Sequence, residues 1–294
     1  MIITPGPSSL LLGQRVAALL DADIVPVENK LFPDGESYIR FMGDLRDKDL
    51  VIVHSCDVPQ DKRWMELLFM VSTAKDLGAR KVVAVVPYFG YSRQDRRLLQ
   101  GEAIASEIMI KLLEAAGIDY FMTFDIHNKE TLTRFKVGTR NLSAMPAIGK
   151  YFLGLDLRDP FVVTPDDEDP LRAKTIAEIL STDWSYFGKD RDPVTGEITT
   201  HARRLRVRDR DVVIVDDVIS TGKTMLNAIL AVKQQGARDV YLACAFPLLV
   251  GNAEEELFGA GAKAICGTDC VQSKYSTISV APIIVDAVKS LLTS

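Results

Sequence analysis

Short runs of Val, Ile, Leu and Phe recur along the chain, separated by stretches whose apolar residues fall three or four positions apart. The runs predict strands at 50–54, 82–86, 120–124, 161–164, 211–215, 240–245 and 263–266. Between them, Trp64, Leu67, Leu68, Val71 and Ala74 keep helical spacing, as do Ile104, Ile108, Leu112 and Ala115. Alternation of this kind predicts α/β organisation with mostly parallel sheets flanked by helices. The longest pure apolar runs, such as Val82–Val86, are too short to span a bilayer.

The chain also resembles itself. Asp49-Leu50-Val51-Ile52-Val53 echoes Asp211-Val212-Val213-Ile214-Val215, and Gly78-Ala79-Arg80 returns as Gly236-Ala237-Arg238. Gly117 before a strand ending at Asp125 parallels Gly261 before one ending at Asp269. The order of these matches is kept while the separation between copies shrinks, as expected of two related domains with different loop lengths. This predicts tandem domains at 1–146 and 147–294. The C-terminal helix from Pro282 is left free to pack on either half.

Composition narrows the function classes. The 294 residues are 47% hydrophobic and 26% charged, which excludes a disordered chain. With 35 basic and 40 acidic residues the net charge is −5, whereas a protein that wraps nucleic acid normally reads basic. Four cysteines make no disulfide framework, and with three histidines they complete no zinc site. The Met1–Pro5 start carries no basic region ahead of an apolar stretch, so no secretion signal is expected. The expectation is a reduced, cytoplasmic protein with neither nucleic acid nor membrane as partner.

The strongest chemical signal follows the strand Val212–Val215. Two adjacent carboxylates, Asp216 and Asp217, lead through Val218 and Ile219 into Ser220-Thr221-Gly222-Lys223-Thr224, and a helical stretch follows. Backbone N–H groups at a helix start, with its dipole, favour a phosphate. Adjacent residues of an extended strand point to opposite sides, so at least one carboxylate is expected to face a sugar diol or a metal-bound hydroxyl. A Walker A loop is excluded, because Asp217 stands where that loop needs Gly. Carboxylates followed by a phosphate cup describe a site for ribose 5-phosphate.

Weaker signals sit at other predicted strand ends, where open α/β sheets bind ligands. Pro87–Arg97 carries Arg93, Gln94, Asp95, Arg96 and Arg97 beside aromatics, suited to a nucleotide. Phe32-Pro33-Asp34-Gly35-Glu36 is a turn with one aromatic and two carboxylates. His127 follows Asp125, and Asp166 opens the acidic run Asp166-Asp167-Glu168-Asp169, both candidates for Mg²⁺. Lys189 and Arg191 lie in a polar segment, 187–196, that reads as a mobile loop able to close over a polyphosphate. The basic run Arg203, Arg204, Arg206, Arg208 and Arg210 reads as a solvated edge or subunit contact.

Taken together, these motifs resemble the ribose-phosphate pyrophosphokinases, in the family's order from Phe32 to Asp269, with a compact length and loop more similar to archaeal members. The resemblance implies two tandem domains of the type I phosphoribosyltransferase kind. It also implies transfer of the pyrophosphoryl group of Mg-ATP to the 1-hydroxyl of ribose 5-phosphate, giving PRPP and AMP. On that basis Phe32, Asp34, Glu36, Arg93, Gln94, Asp95 and Arg96 bind ATP, and His127 and Asp166 hold Mg²⁺. Asp216, Asp217, Ser220, Thr221, Gly222, Lys223 and Thr224 bind ribose 5-phosphate, and Lys189 and Arg191 are the catalytic pair. The adenine turn would come from a neighbouring subunit, implying a homo-oligomer.

Two departures from the family pattern stand out. Lys223 replaces a usual Gly in the phosphate loop, and Asp167-Glu168-Asp169 replaces a glycine-containing segment after Asp166. A simple phosphoribosyltransferase would share the phosphate loop. It would leave Arg93-Gln94-Asp95 and the Lys189/Arg191 segment without a purpose. A regulatory, non-catalytic relative would have no need to keep Lys189, Arg191, His127, Asp216 and Asp217.

Overall fold

β-Branched and aromatic side chains suit a pleated, half-buried surface, and the runs described above become strands. The computed structural model describes residues 1–165, 167, 169–191, 198–201 and 205–292. It divides into two compact units: Met1–Ser143 with Cys270–Gln272 and Ser279–Ser294, and Ala144–Asp269 with Ser273–Ile278. Among the described residues no helix is long and apolar enough to cross a membrane.

The first unit runs β1 (Ile2–Pro5), α1 (Leu10–Leu20), β2 (Asp23–Ile24), β3 (Val27–Leu31), β4 (Ser37–Phe41) and β5 (Asp49–Val53). It continues through α2 (Gln60–Asp76), β6 (Lys81–Val86), α3 (Ala105–Ala116), β7 (Tyr120–Phe124), a 3-10 turn (Lys129–Arg134) and β8 (Gly138–Leu142). Its main sheet is parallel in the order β2-β1-β5-β6-β7-β8, while β3 and β4 form an antiparallel hairpin. Leu50–Val53 and Val82–Val86 are buried throughout, as strands covered on both faces must be.

The second unit runs α4 (Met145–Leu153), β9 (Phe161–Thr164), α5 (Leu171–Leu180), β10 (Asp183–Tyr186), β11 (Gly188–Arg191), β12 (Ile198–His201) and β13 (Val212–Ile219). There follow α6 (Lys223–Gln234), β14 (Val240–Pro247), α7 (Ala253–Gly259), β15 (Ala262–Thr268) and β16 (Ser276–Ile278). Its sheet is parallel in the order β10-β9-β13-β14-β15-β16, with β11 and β12 as an antiparallel hairpin. The last helix, α8 (Ala281–Leu292), belongs to the first unit and packs on α1.

The two units share strand order, hairpin position and finer detail. Arg80 grips Asp49 with Nε at 2.8 Å and Nη2 at 2.7 Å, and Arg238 grips Asp211 at 2.7 and 2.5 Å. Gly78 and Gly236 take φ of 84° and 89°, and Asp47 and Asp209 take 59° and 61°. In each unit the aspartate N–H donates to the glycine carbonyl at 2.9 Å. Positive φ is expected of Gly and tolerated by Asp, so the same turn chemistry was kept in both copies.

Three local expectations change. Helix α3 buries Ser106, Ile110 and Leu113, while Ile108 and Leu112 are exposed, so the apolar stripe read from the sequence faces outward. Strand β13 extends past Val215 through Asp216 and Asp217 to Ile219, because β14 continues alongside as far as Pro247. Gly188–Arg191, read as loop, pairs as β11 with β12, Lys189 opposite Thr200 and Arg191 opposite Ile198.

Candidate functional site

Sheet order locates the crevice of the second unit. The chain leaves β9 for β10 on one side, and β13 lies on the other, so the loops after β9 and β13 diverge at the strands' carboxyl ends. Ligands of open α/β sheets bind at such a switch point.

Asp216 is buried and Asp217 half-buried within β13. Each carboxylate folds back on the strand: Asp217 N–H donates to Asp216 Oδ1 at 2.8 Å, and Val218 N–H donates to Asp217 Oδ1 at 2.9 Å. These local bonds turn both side chains, and one guanidinium reaches both. Arg172 Nη1 donates to Asp216 Oδ1 at 2.8 Å, and its Nη2 lies 3.3 Å from Asp217 Oδ2. The strict alternation expected of consecutive strand residues therefore does not separate the pair. Beside them Cys244, in register with Asp216, is buried; burial, and then the Asp216 charge, push its thiol well up, so it stays unreactive.

The loop that follows is fixed from β14's side, Leu249 N–H donating to Ile219 O at 2.9 Å and Val250 N–H to Ser220 O at 3.1 Å. Gly222 is the N-cap of α6, with φ 77° and ψ −6°, and offers no capping side chain. The first N–H groups of a helix have no intrahelical partner, so this start presents donors to an anion. Ser220 is half-buried, Thr221, Lys223 and Thr224 are exposed, and Gly222 is buried. Lys223 opens the helix with Gly222 taking the positive φ, which is how a lysine fits a position where close backbone approach would favour glycine.

The first unit's copy of this crevice is filled by protein. His54, the counterpart of Asp216, is fully buried, its Nε2 facing Arg63 O at 2.9 Å and its Nδ1 facing Ser8 Oγ at 3.0 Å. Burial drives its pKa down to about 3, so it remains a neutral imidazole. Glu66, also fully buried, is held by Arg63 at 3.0 Å and by Asn29 Nδ2 at 3.2 Å.

The first unit instead presents its candidate residues at the ends of β6 and β7 and on the β3–β4 turn. After β6, Trp64 Nε1 donates to Gly90 O at 3.3 Å and Tyr91 O–H donates to Asp61, fixing the segment on α2. Arg93, Gln94 and Arg96 are exposed. Asp95 is buried and serves the loop: its Oδ2 accepts Asn128 Nδ2 at 2.7 Å, and its carbonyl accepts Arg134 Nη2 at 3.0 Å. Asn128 follows His127, so these bonds bring the exposed His127 segment beside the arginine loop. On the hairpin, Gly35 at φ 97° lets Phe32 N–H reach Glu36 O at 2.8 Å. Phe32, Asp34 and Glu36 are exposed, and the Phe32 ring rests edge-on against Tyr38 with centroids 5.7 Å apart. Among the described residues no hydrogen bond or ion pair joins this turn to Arg93–Arg96.

Asp166 and Glu168 lie outside the described residues, as do the side chains of Lys189 and Arg191 and, in the basic run, Arg203 and Arg204. Arg210 of that run is structural: it donates to Asp159 O and Pro160 O and lies 5.0 Å over the Phe161 ring. Among the described residues no group of three or more His, Cys, Asp or Glu forms an ion cage.

Sequence reasoning missed Arg172. Its signal was a cation in the first turn of a helix, where the dipole disfavours positive charge and some compensating carboxylate is needed.

Comparison with known proteins identifies relatives along the whole chain. A family model for the N-terminal domain of ribose phosphate pyrophosphokinase matches residues 1–117, and one for the phosphoribosyl transferase domain matches residues 147–258. The chain is 41% identical over 283 residues to the ribose-phosphate pyrophosphokinase of Methanothermobacter thermautotrophicus, covering 96% of this chain and 98% of that protein. It is 38% identical over 272 residues to that of Saccharolobus solfataricus, covering 92% and 93%. The crystal structure of phosphoribosylpyrophosphate synthetase from Mycobacterium smegmatis shares the fold, with TM-score 0.86 over 99% of this chain and 98% of that one at 24% identity.

Proposed function

Because the chain belongs to the ribose-phosphate pyrophosphokinase family and is an enzyme of that kind, we propose that it transfers the β,γ-diphosphoryl group of Mg-ATP to ribose 5-phosphate, giving PRPP and AMP. The observation that carries the reading is Asp216 and Asp217 running directly into the glycine-capped start of α6 at the second unit's switch point. Carboxylates accept hydrogen bonds from the ribose hydroxyls, and the N–H groups and hydroxyls of Ser220–Thr224 take the 5-phosphate. The sugar is thereby held at both ends, which leaves its 1-hydroxyl to react.

The 1-oxygen attacks the β-phosphorus, the bond from that phosphorus to the α–β bridging oxygen breaks, AMP leaves with that oxygen, and the hydroxyl proton passes to solvent. Such transfers depend on positioning and charge neutralisation more than on a strong base. Arg93, Gln94 and Arg96 bind the nucleotide, with Asp95 shaping their loop from beneath. Lys189 and Arg191 neutralise charge on the moving phosphates. Bound Mg²⁺ would supply further neutralisation. Mg²⁺ keeps several waters and takes phosphate oxygens and one or two protein ligands, so exposed His127 beside the nucleotide loop fits an ion arriving with ATP, and Asp166 would be a second ligand. The turn Phe32–Glu36 serves the nucleotide site of a second copy of the chain. Its exposure and its lack of bonds to the arginine loop support that assignment.

ATP labelled at the β-phosphate tests the reading. The label is expected in the sugar product, and its retention in ADP would overturn the proposal.

A further inference from the structure

Arg172 sits where a cation is disfavoured. It is the second residue of α5, close to the positive end of that helix, and only 13% of its side chain is exposed. Its guanidinium meets the two carboxylates of Asp216 and Asp217 at 2.8 and 3.3 Å, and its Nε lies 3.9 Å from Asp169 Oδ2. Two carboxylates on consecutive, largely buried residues repel one another, so without a shared cation the two side chains would be pushed apart. A single planar fork offsets both charges and ties both side chains to one point. A lysine ammonium, a compact point charge, cannot span them in the same way.

We infer that Arg172 is a positioning residue for the sugar site: it holds the Asp216 and Asp217 carboxylates aimed as a pair, so that both accept hydrogen bonds from a vicinal diol. The inference rests on the reading of that site as the ribose 5-phosphate site. It adds a residue from α5, the helix that follows the acidic run after β9, to a site otherwise formed by β13 and α6. Through Asp169 the same side chain also ties the segment after β9 to the carboxyl-terminal part of β13.

The test is steady-state kinetics of Arg172→Lys and Arg172→Gln with each substrate varied in turn, melting temperatures being measured alongside. The expected result is KM for ribose 5-phosphate raised about 10-fold in Arg172→Lys and about 100-fold in Arg172→Gln, as expected on losing a charged hydrogen bond, with KM for ATP within about 2-fold of wild type. A merely structural arginine would not couple to the pair. In an Asp217→Asn background the Arg172→Gln penalty is therefore expected to shrink several-fold, which a double-mutant cycle reads directly. An unchanged KM for ribose 5-phosphate in both variants would overturn the inference while leaving the proposed reaction intact. So would equal increases in both KM values with a lowered melting temperature, or penalties that simply multiply in the double variant. A wild-type protein that makes product from ATP but is indifferent to ribose 5-phosphate would overturn the reading of the site, and this inference with it.

Discussion

Replacing Gly222 with alanine tests the geometry of the phosphate cradle. At φ 77° a residue with a Cβ is strained by about 1–2 kcal/mol. The added Cβ would also meet Ala253 Cβ, Leu257 Cδ1 and Leu257 Cγ, all at 3.3 Å. Carbon contacts are comfortable at about 3.5–4.0 Å, so α7 must yield slightly, at a cost of about another 1 kcal/mol. The sum, about 2–3 kcal/mol, lowers the melting temperature of a unit this size by roughly 4–12 °C. Gly251→Ala is the control: its φ is 65°, but nothing lies within 4 Å of the new Cβ, so only the backbone strain applies. Calorimetric melts of the three proteins, with urea unfolding for the free energies, are expected to rank wild type above Gly251→Ala above Gly222→Ala. KM for ribose 5-phosphate should rise in Gly222→Ala alone, because the first-turn N–H groups are re-aimed. A Gly222→Ala protein at least as stable as Gly251→Ala would refute the reasoning.

Further expectations concern the buried charges and the hairpin. Asp211→Asn should cost about 1–3 kcal/mol, since this fully buried carboxylate accepts two N–H bonds from Arg238 and one from Arg158. Asp49→Asn should cost less, because its partner Arg80 is 69% exposed; urea unfolding of both variants compares them. Burial pushes the Asp57 carboxyl up to about 6 against the Arg63 charge, so its favourable contribution is complete below pH 3.8 and is lost as pH rises through about 6. Asp57→Asn should therefore gain stability over wild type between pH 4 and 7, on the order of 2–3 kcal/mol, and a melting-temperature difference that stays flat with pH would contradict this. Lys189→Ala should cut kcat by at least about 100-fold with little change in either KM, read from initial rates.

Much of the fold was legible because hydrophobic runs and turn residues are local signals. The repeated Asp49/Asp211, Gly78/Gly236 and Gly117/Gly261 markers stand at the same structural places in both units. What the pattern could not say is which side of an element packs: Ile108 and Leu112 keep helical spacing, yet α3 turns Ile110 and Leu113 inward. Nor could polarity distinguish a loop from an antiparallel ribbon, so Gly188–Arg191 read as loop although its pairing with Ile198–His201 makes it β11. In the site, Asp216, Asp217 and the Ser220–Thr224 loop are contiguous and easily seen. Arg172 is distant in sequence from the pair it holds, and only the sheet order brings α5 over the end of β13. Asp95 is likewise visible in its arginine-rich loop, but that its Oδ2 accepts from Asn128 and its carbonyl from Arg134 is a long-range pairing the local sequence does not show.

A phosphorus NMR time course of the purified protein with Mg-ATP and ribose 5-phosphate tests the central claim most directly. The account predicts that the ATP signals give way to those of AMP and of a sugar-bound diphosphate, in equal amounts and only when ribose 5-phosphate is present. Appearance of ADP with a ribose bisphosphate would contradict it, because a single phosphoryl group would then have moved.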